Sequence, residues 1–314
     1  HLVLSIRVVG QALAEPIVYN LGSWDSLVGI NLVVDSFSAF MVLLISSLGF
    51  LVLIYSIFFL EPEAEKYYEL FLFFLASALG MVMTADLFNL YVFFEVNSIA
   101  SYGLVVLNKR EASIEGGFKY LILGTLGGLF VLLGIIFTYQ LTGSLNFGEL
   151  AVEFKAIPAM MQYTILGLYI VGFGVKAALV PLHTWLPDAY TETLAPVSVL
   201  SSGVGINVAL YSLVRILYTL YGVEFIGGSL SMFFVYWGVA TFLTAHLLAY
   251  QQDNLRRLLG YSSIAQLGYI LIGFGLATEA GVIAGSLHLL NHAVMKGTLL
   301  LAAGIFTYSR GGYS

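Results

Sequence analysis

The stretch AMMQYTILGLYIVGFGVKAALVP, residues 159–181, decides how this chain folds. It is apolar over more than the about 20 residues that a helix needs to cross a ~30 Å hydrocarbon core. Yet it carries one lysine, Lys176, and ends on Pro181. A lone cation deep in such a run costs from about 2.5 to over 10 kcal/mol in lipid. Proline removes a backbone donor and clashes with the preceding turn, so the sequence predicts a helix that breaks near Pro181, just after Lys176. Backbone broken at membrane depth persists only where protein covers it or water reaches it.

Working outward, the same pattern recurs. Apolar runs occupy Leu32–Leu60, Leu70–Ala85, Leu87–Leu107, Phe118–Leu141, Ala159–Val180, Pro196–Tyr221, Leu230–Tyr250, Leu258–Ala277 and Gly281–Tyr308. They are too long, and too apolar on every side, for the alternating strands of a membrane barrel. The expected fold is therefore all-α: a polytopic transmembrane bundle of about nine to ten helices, the residues before Ser5 ending a further one. The whole chain, 1–314, reads as one membrane domain. Ile17–Leu21 and Gly29–Val34, around Gly22-Ser23-Trp24-Asp25, predict a hairpin on the outer face within a segment 1–31.

Composition agrees. Apolar residues make up 60% of the chain and charged ones 10%, against about a quarter charged in soluble domains. Lys66, Lys109, Arg110, Arg256, Arg257 and Arg310 fall in loops on one side, and only Lys155 on the other. The positive-inside rule makes the first side cytoplasmic. No basic stripe suggests nucleic acid. With no cysteine, thiolate zinc and cysteine-ligated iron–sulfur centres are excluded, so any driving electrons flow in another subunit. The N-terminus has neither a basic n-region nor a cleavage site and lacks an initiator Met.

Charges inside the runs carry the chemistry. Glu95 and Lys176 lie alone in their turns; Lys296 follows His288 and His292 at four-residue spacing, on one helix face. Burial disfavours a charged form and an opposite charge favours it, so moving a partner towards or away from Lys176 would load or release its proton. His288 and His292 are suited to passing protons onward. Ser202, Asn207, Ser262, Ser263 and Gln266 are placed to hold water between these groups. The bland reading is static ion pairing between helices. It is favoured for Arg215, near a helix end and free to snorkel, and for His246 as a packing residue. For Glu95, Lys176 and Lys296 the ion-carrying reading is favoured. The His spacing lacks a third metal ligand, and His246 with His288 is a poor fit to bis-His haem. No metal and no cofactor is expected on this chain. The Gly124–Gly128 cluster marks close helix packing.

Five sets of residues resemble one family: Asp86-Leu87-Phe88 with Phe93-Phe94-Glu95 and Ser101-Tyr102; Lys176-Ala177 with Pro181-Leu182-His183-Thr184-Trp185-Leu186-Pro187-Asp188-Ala189; Ala195-Pro196-Val197-Ser198; Leu255-Arg256-Arg257-Leu258-Leu259 with Tyr261-Ser262-Ser263; and His288 through Lys296. The chain resembles the antiporter-like subunits of complex I, Mrp sodium/proton antiporters and membrane-bound hydrogenase or sulfane reductase complexes, most nearly the Mrp D-like branch. The resemblance implies inverted five-helix repeats, the first over 70–221 and part of a second over 230–314, with a discontinuous helix at Lys176–Pro181, and a chain incomplete at both ends. It implies Glu95 as switch, Lys176 as central proton carrier and Lys296 on the relay, with His183 and Asp188 in the supporting motif. It also implies further antiporter-like membrane subunits, a peripheral redox module in trans, surrounding lipid, H+ or Na+ as the transported ion, and the plasma membrane of a prokaryote. Such a subunit would not be catalytic alone. Asn207 and Ser202 depart from the family's usual Lys or His, and Tyr190 from its usual His. That departure keeps open a non-pumping scaffold docking a peripheral module. An independent solute transporter is a third reading, against which the lack of a roomy polar pocket signature argues.

Overall fold

Helix α2 (Ser36–Phe59) starts where its first turn can be satisfied. Asp35 accepts from the Ser38 N–H at 2.9 Å, and Ser38 Oγ accepts from the Asp35 N–H at 2.8 Å. This reciprocal cap fixes the boundary four residues later than hydropathy alone suggests, because Asn31–Val34 pair as a strand instead. The computed structural model describes residues 2–24, 29–60 and 65–309; Asp25 and Arg310 lie outside them.

Among the described residues, α1 (Leu2–Ala12) precedes an antiparallel hairpin of β1 (Ile17–Asn20) and β2 (Asn31–Val34), with Ile17 opposite Val34. This is the hairpin expected from sequence. After α2 come α3 (Glu65–Met83), α4 (Leu87–Val105), α5 (Glu111–Thr142), α6 (Phe147–Glu153), α7 (Ala159–Lys176) and α8 (Trp185–Glu192). The series closes with α9 (Ala195–Gly228), α10 (Ser231–Tyr250), α11 (Leu255–Gly275) and α12 (Glu279–Ser309). The chain is an all-α polytopic bundle. Among the described residues, seven helices are long and apolar enough to cross a membrane: α2, α3, α5, α9, α10, α11 and α12. The other two expected spans, α4 and α7, form where expected but fall outside that set. They carry Glu95 with Asn97, and Lys176; the polar residues that mark them as interesting also lower their apolarity.

Short connections make neighbouring helices antiparallel, so loop residues collect at two ends. At one end Asp86 bridges to Asn146, and Leu32 to Thr84. Here Arg215 does not snorkel: it meets Asp35 at 2.5 Å. Burial pushes the Asp35 carboxyl up, but the Arg215 guanidinium and the Ser38 N–H outweigh it and hold it below the usual carboxylate value. Its stabilising share is thus present above the unfolded pKa and is lost as pH falls through the lowered folded value. Asp35→Asn should lower the unfolding temperature at neutral pH, and the gap from wild type should close in strong acid; a gap independent of pH would contradict this. At the opposite end Lys119 meets Glu115 at 2.7 Å and Asp188 at 2.8 Å, while Arg257 meets Asp188 at 3.1 Å.

Helix α9 is the central post, enclosed along its whole apolar length. Beside it, α5 and α7 meet backbone to backbone. A Cβ on Gly172 would lie 2.7 Å from the Gly127 carbonyl oxygen and 2.5 Å from Val131 Cγ2. Gly172→Ala should therefore cost about 1–3 kcal/mol, measurable as a lower unfolding temperature in detergent. Gly143 closes α5 at φ 74°, a left-handed cap donating to the Tyr139 carbonyl at 2.7 Å.

The break in α7 comes earlier than proline alone predicts. The helix ends at Lys176, and Ala178 sits at φ 53°. The Leu179 N–H turns back to the Gly174 carbonyl at 2.9 Å. Two indoles satisfy other freed carbonyls: Trp185 Nε1 donates to Val175 O at 2.8 Å and Trp237 Nε1 to Val180 O at 2.6 Å. Pro181 prevents the helix from resuming; its partners on α8 and α10 decide where it stops.

Candidate functional site

Lys176 lies at the last turn of α7 and is 2% exposed. Its Nζ donates to Ser98 Oγ on α4 and to Tyr120 OH on α5, each at 2.9 Å. Three rings surround the nitrogen: Tyr120 at 5.1 Å, and Phe94 and Tyr102 both at 5.7 Å. Hydrogen bonds from a charged donor contribute about 1.5–3 kcal/mol each, and a desolvated cation over a ring about 2 kcal/mol. Together they match the lower range of the burial cost. The geometry serves both charge states. A neutral amine has two hydrogens, which Ser98 and Tyr120 accept; an ammonium has a third, free to leave.

Glu95 is one turn before Ser98 on α4 and is half-buried, so it is less enclosed than the sequence implies. Its carboxylate rests on Gly128 of α5, where a Cβ would overlap Oε1. Lys176 supplies the opposing charge it feels, yet the two form no direct ion pair. The static pair expected of a purely structural charge is therefore not what holds them.

The second cluster is on α11 and α12. Lys296 is 1% exposed and donates to Ser262 Oγ at 2.5 Å. His292, one turn earlier, is fully buried, with Nδ1 3.0 Å from Asn207 Oδ1 on α9. Asn207 spends its Nδ2 on the Gly203 carbonyl at 3.0 Å, so its Oδ1 accepts and His292 Nδ1 carries the hydrogen. His292 Nε2 is then a bare acceptor with no partner in the interior. His288 is half-buried and pairs through Nε2 with Gln266 Oε1 at 2.8 Å. Ser263 Oγ meets Ser202 Oγ at 3.0 Å. Ser202 lies in a π-helical turn of α9, Ser201–Gly205; such turns recur at functional sites.

Thus Lys296, Ser262, His292 and Asn207 share one neighbourhood, and Lys176 and Glu95 another. His183 is buried on the broken segment, its ring edge-on to Tyr261 at 6.2 Å. Asp188 stands apart from Lys176, at the charged end, on a cavity of about 280 Å³ shared with Glu115, Lys119, Thr191, Glu192 and Arg257. His246 is exposed on α10, bonded to its own helix at the Phe242 carbonyl, 3.0 Å. Sequence reading missed Ser98 and Tyr120, which hold Lys176, and took Gly128 only for packing. Ser98, one turn after Glu95, was the available signal; nothing local marks Tyr120.

Residues 84–313 match the family described as NADH:quinone oxidoreductase/Mrp antiporter, TM, and residues 24–72 match that of NADH-ubiquinone oxidoreductase (complex I), chain 5 N-terminus. The chain is 39% identical over 307 residues to NADH-quinone oxidoreductase subunit N of Desulforudis audaxviator, covering 95% of this chain and 60% of that one. It is 32% identical over 290 residues to a Na(+)/H(+) antiporter subunit of Alkalihalophilus pseudofirmus, covering 91% and 58%. Its fold superimposes on a chain of the archaeal membrane-bound sulfane sulfur reductase with TM-score 0.90 and 35% identity, covering 98% of this chain and 63% of that one. The chain thus spans about 60% of the length of these curated relatives.

Proposed function

The chain belongs to the family of membrane subunits shared by NADH:quinone oxidoreductases and Mrp antiporters, and from that membership we propose that it is an ion-translocating subunit of a multisubunit complex. Protons, sodium ions or both are its cargo. Lys176 is the central carrier, Glu95 the switch that sets its charge, and Lys296 with His292 and His288 the onward relay. The observation that carries this reading is the seat of Lys176: enclosed by helices, bonded only to neutral acceptors, and near but not touching the one carboxylate that feels it. A lysine kept only to lock helices would be held in a direct pair.

In this reading the Lys/Arg-rich end faces the cytoplasm of a prokaryote, and α3 to α9 form the first of two inverted repeats. The electrons that drive the cycle flow in a peripheral redox module, where one is attached, and this chain binds no cofactor. Asn207 favours a second reading, a scaffold that docks such a module without pumping, because a neutral amide interrupts a chain of titratable groups. The intact complex reconstituted in proteoliposomes separates the two. Acidification or sodium uptake that depends on this chain supports translocation. Normal transport by complexes whose copy of this chain lacks Lys176 supports the scaffold.

A further inference from the structure

Among the described residues four buried side-chain atoms have no hydrogen-bond partner: Tyr102 OH beside Lys176, His183 Nδ1, His292 Nε2 in the Lys296 cluster, and Tyr190 OH. An unsatisfied buried polar group costs about 1–3 kcal/mol, so each needs an explanation. Tyr190 has no part in the function proposed above. It lies on α8, the short helix clasped between α5 and α11. The Cβ position of Gly116 on α5 is 3.2 Å from the Asp188 carbonyl, and that of Gly260 on α11 is 3.3 Å from Pro187 Cα. Such backbone contact leaves α8 little freedom. Tyr190 is 1% exposed, so its hydroxyl is held away from water among these helices.

Its neighbours on the two sides differ. On one side is Tyr120, the acceptor of Lys176 Nζ. On the other is Ser202, in the π turn of α9, which Tyr190 approaches without closing a hydrogen bond of ordinary geometry. Ser202 is bonded to Ser263 at 3.0 Å, and the next residue back, Ser262, holds Lys296 at 2.5 Å. Hydroxyls therefore run from one lysine to the other: Tyr120, Tyr190, Ser202, Ser263, Ser262. The gaps fall at Tyr190 and between the two serines of α11.

We propose that Tyr190 is a proton-relay residue, its hydroxyl and bound water forming a neutral bridge that joins the Lys176 site to the Lys296 site past Asn207. The inference rests on the translocation reading and names its internal route. The balance is simple. Ammonium Lys176 gives one proton to the Tyr120 end of the bridge. Each hydroxyl or water accepts one hydrogen and passes on its own. Ser262 delivers one to neutral Lys296. No bridge group changes charge overall; one positive charge moves from α7 to α12. The bridge works by exchange of hydrogens between hydroxyls and water, so the cargo on this path is the proton.

The test uses the intact complex in proteoliposomes, with proton flux per assembled complex as the readout. Tyr190→Phe keeps the ring and removes only the hydroxyl; flux should fall on the order of 100-fold, the scale of a lost proton-transfer group. Tyr190→His, which restores a group able to pass a proton, should recover flux, and the rate should slow in D2O. If Tyr190→Phe does not assemble, Ser202→Ala, buried but small, reads the same bridge. Wild-type flux in Tyr190→Phe, or in Ser202→Ala, while Lys176→Gln is inactive overturns this inference and leaves the translocation reading standing. Equal loss in Tyr190→Phe and Tyr190→His also overturns it, because packing would then be the role. Normal flux in Lys176→Gln overturns both.

Discussion

Lys176→Gln should abolish ion movement by the intact complex while leaving the amount of assembled complex unchanged. The substitution keeps the length of the stem nearly intact and still offers N–H groups to Ser98 and Tyr120, so the bonds of the present seat at 2.9 Å have a replacement. What is lost is the ability to gain and lose a charge. An amide cannot take the third hydrogen that an ammonium carries. The cost of burying a cation, from about 2.5 to over 10 kcal/mol, also disappears, so stability should hold or rise. Higher stability with no transport is the signature of a functional rather than a structural lysine. The measurement is paired: thermal unfolding of the purified complex, and proton or sodium flux after reconstitution. Retained flux would sink the carrier role. Loss of assembly with normal flux in the remaining complexes would return the site to a structural role.

The second large effect is expected at Lys296. Lys296→Met keeps a flexible, apolar stem in a fully enclosed place and removes the donor to Ser262. Flux should fall about 100-fold or more. His292→Gln should show a smaller loss: the glutamine can meet Asn207 but has no ring nitrogen to serve as the bare acceptor at Nε2. If Lys296→Met transports normally, the two lysines do not belong to one path, and the cluster of α11 and α12 is packing alone. Comparing the variants also orders the route. A block at Lys296 with Lys176 intact should still allow a single loading event, seen as a burst of proton uptake without steady flux. A block at Lys176 should abolish both.

Several features of this molecule are legible in one dimension because their cost is local. An apolar run long enough to span, or a lone lysine within one, has the same meaning wherever it packs, since hydrocarbon charges for polarity regardless of neighbours. So the bundle and the hairpin of Ile17–Asn20 with Asn31–Val34 could be read directly, as could the places of Glu95, Lys176 and Lys296 within helices. The stop in α7 was legible only in part. Pro181 says that a helix cannot continue; it does not say that Trp185 and Trp237 satisfy carbonyls back to Val175. The extent of Glu95 burial also escaped, because that depends on the α5 backbone passing at Gly128.

The chain alone therefore determined which charged groups stand in apolar runs, where their cost is high wherever they pack. Tertiary structure decided what those groups touch. The acceptors of Lys176 come from positions 78 and 56 residues away in sequence, and Asn207 reaches His292 across 85. No periodicity within one helix encodes such meetings. They follow from how closely the helices approach, and that is set by glycines such as Gly127 and Gly172, whose absent side chains let backbones meet.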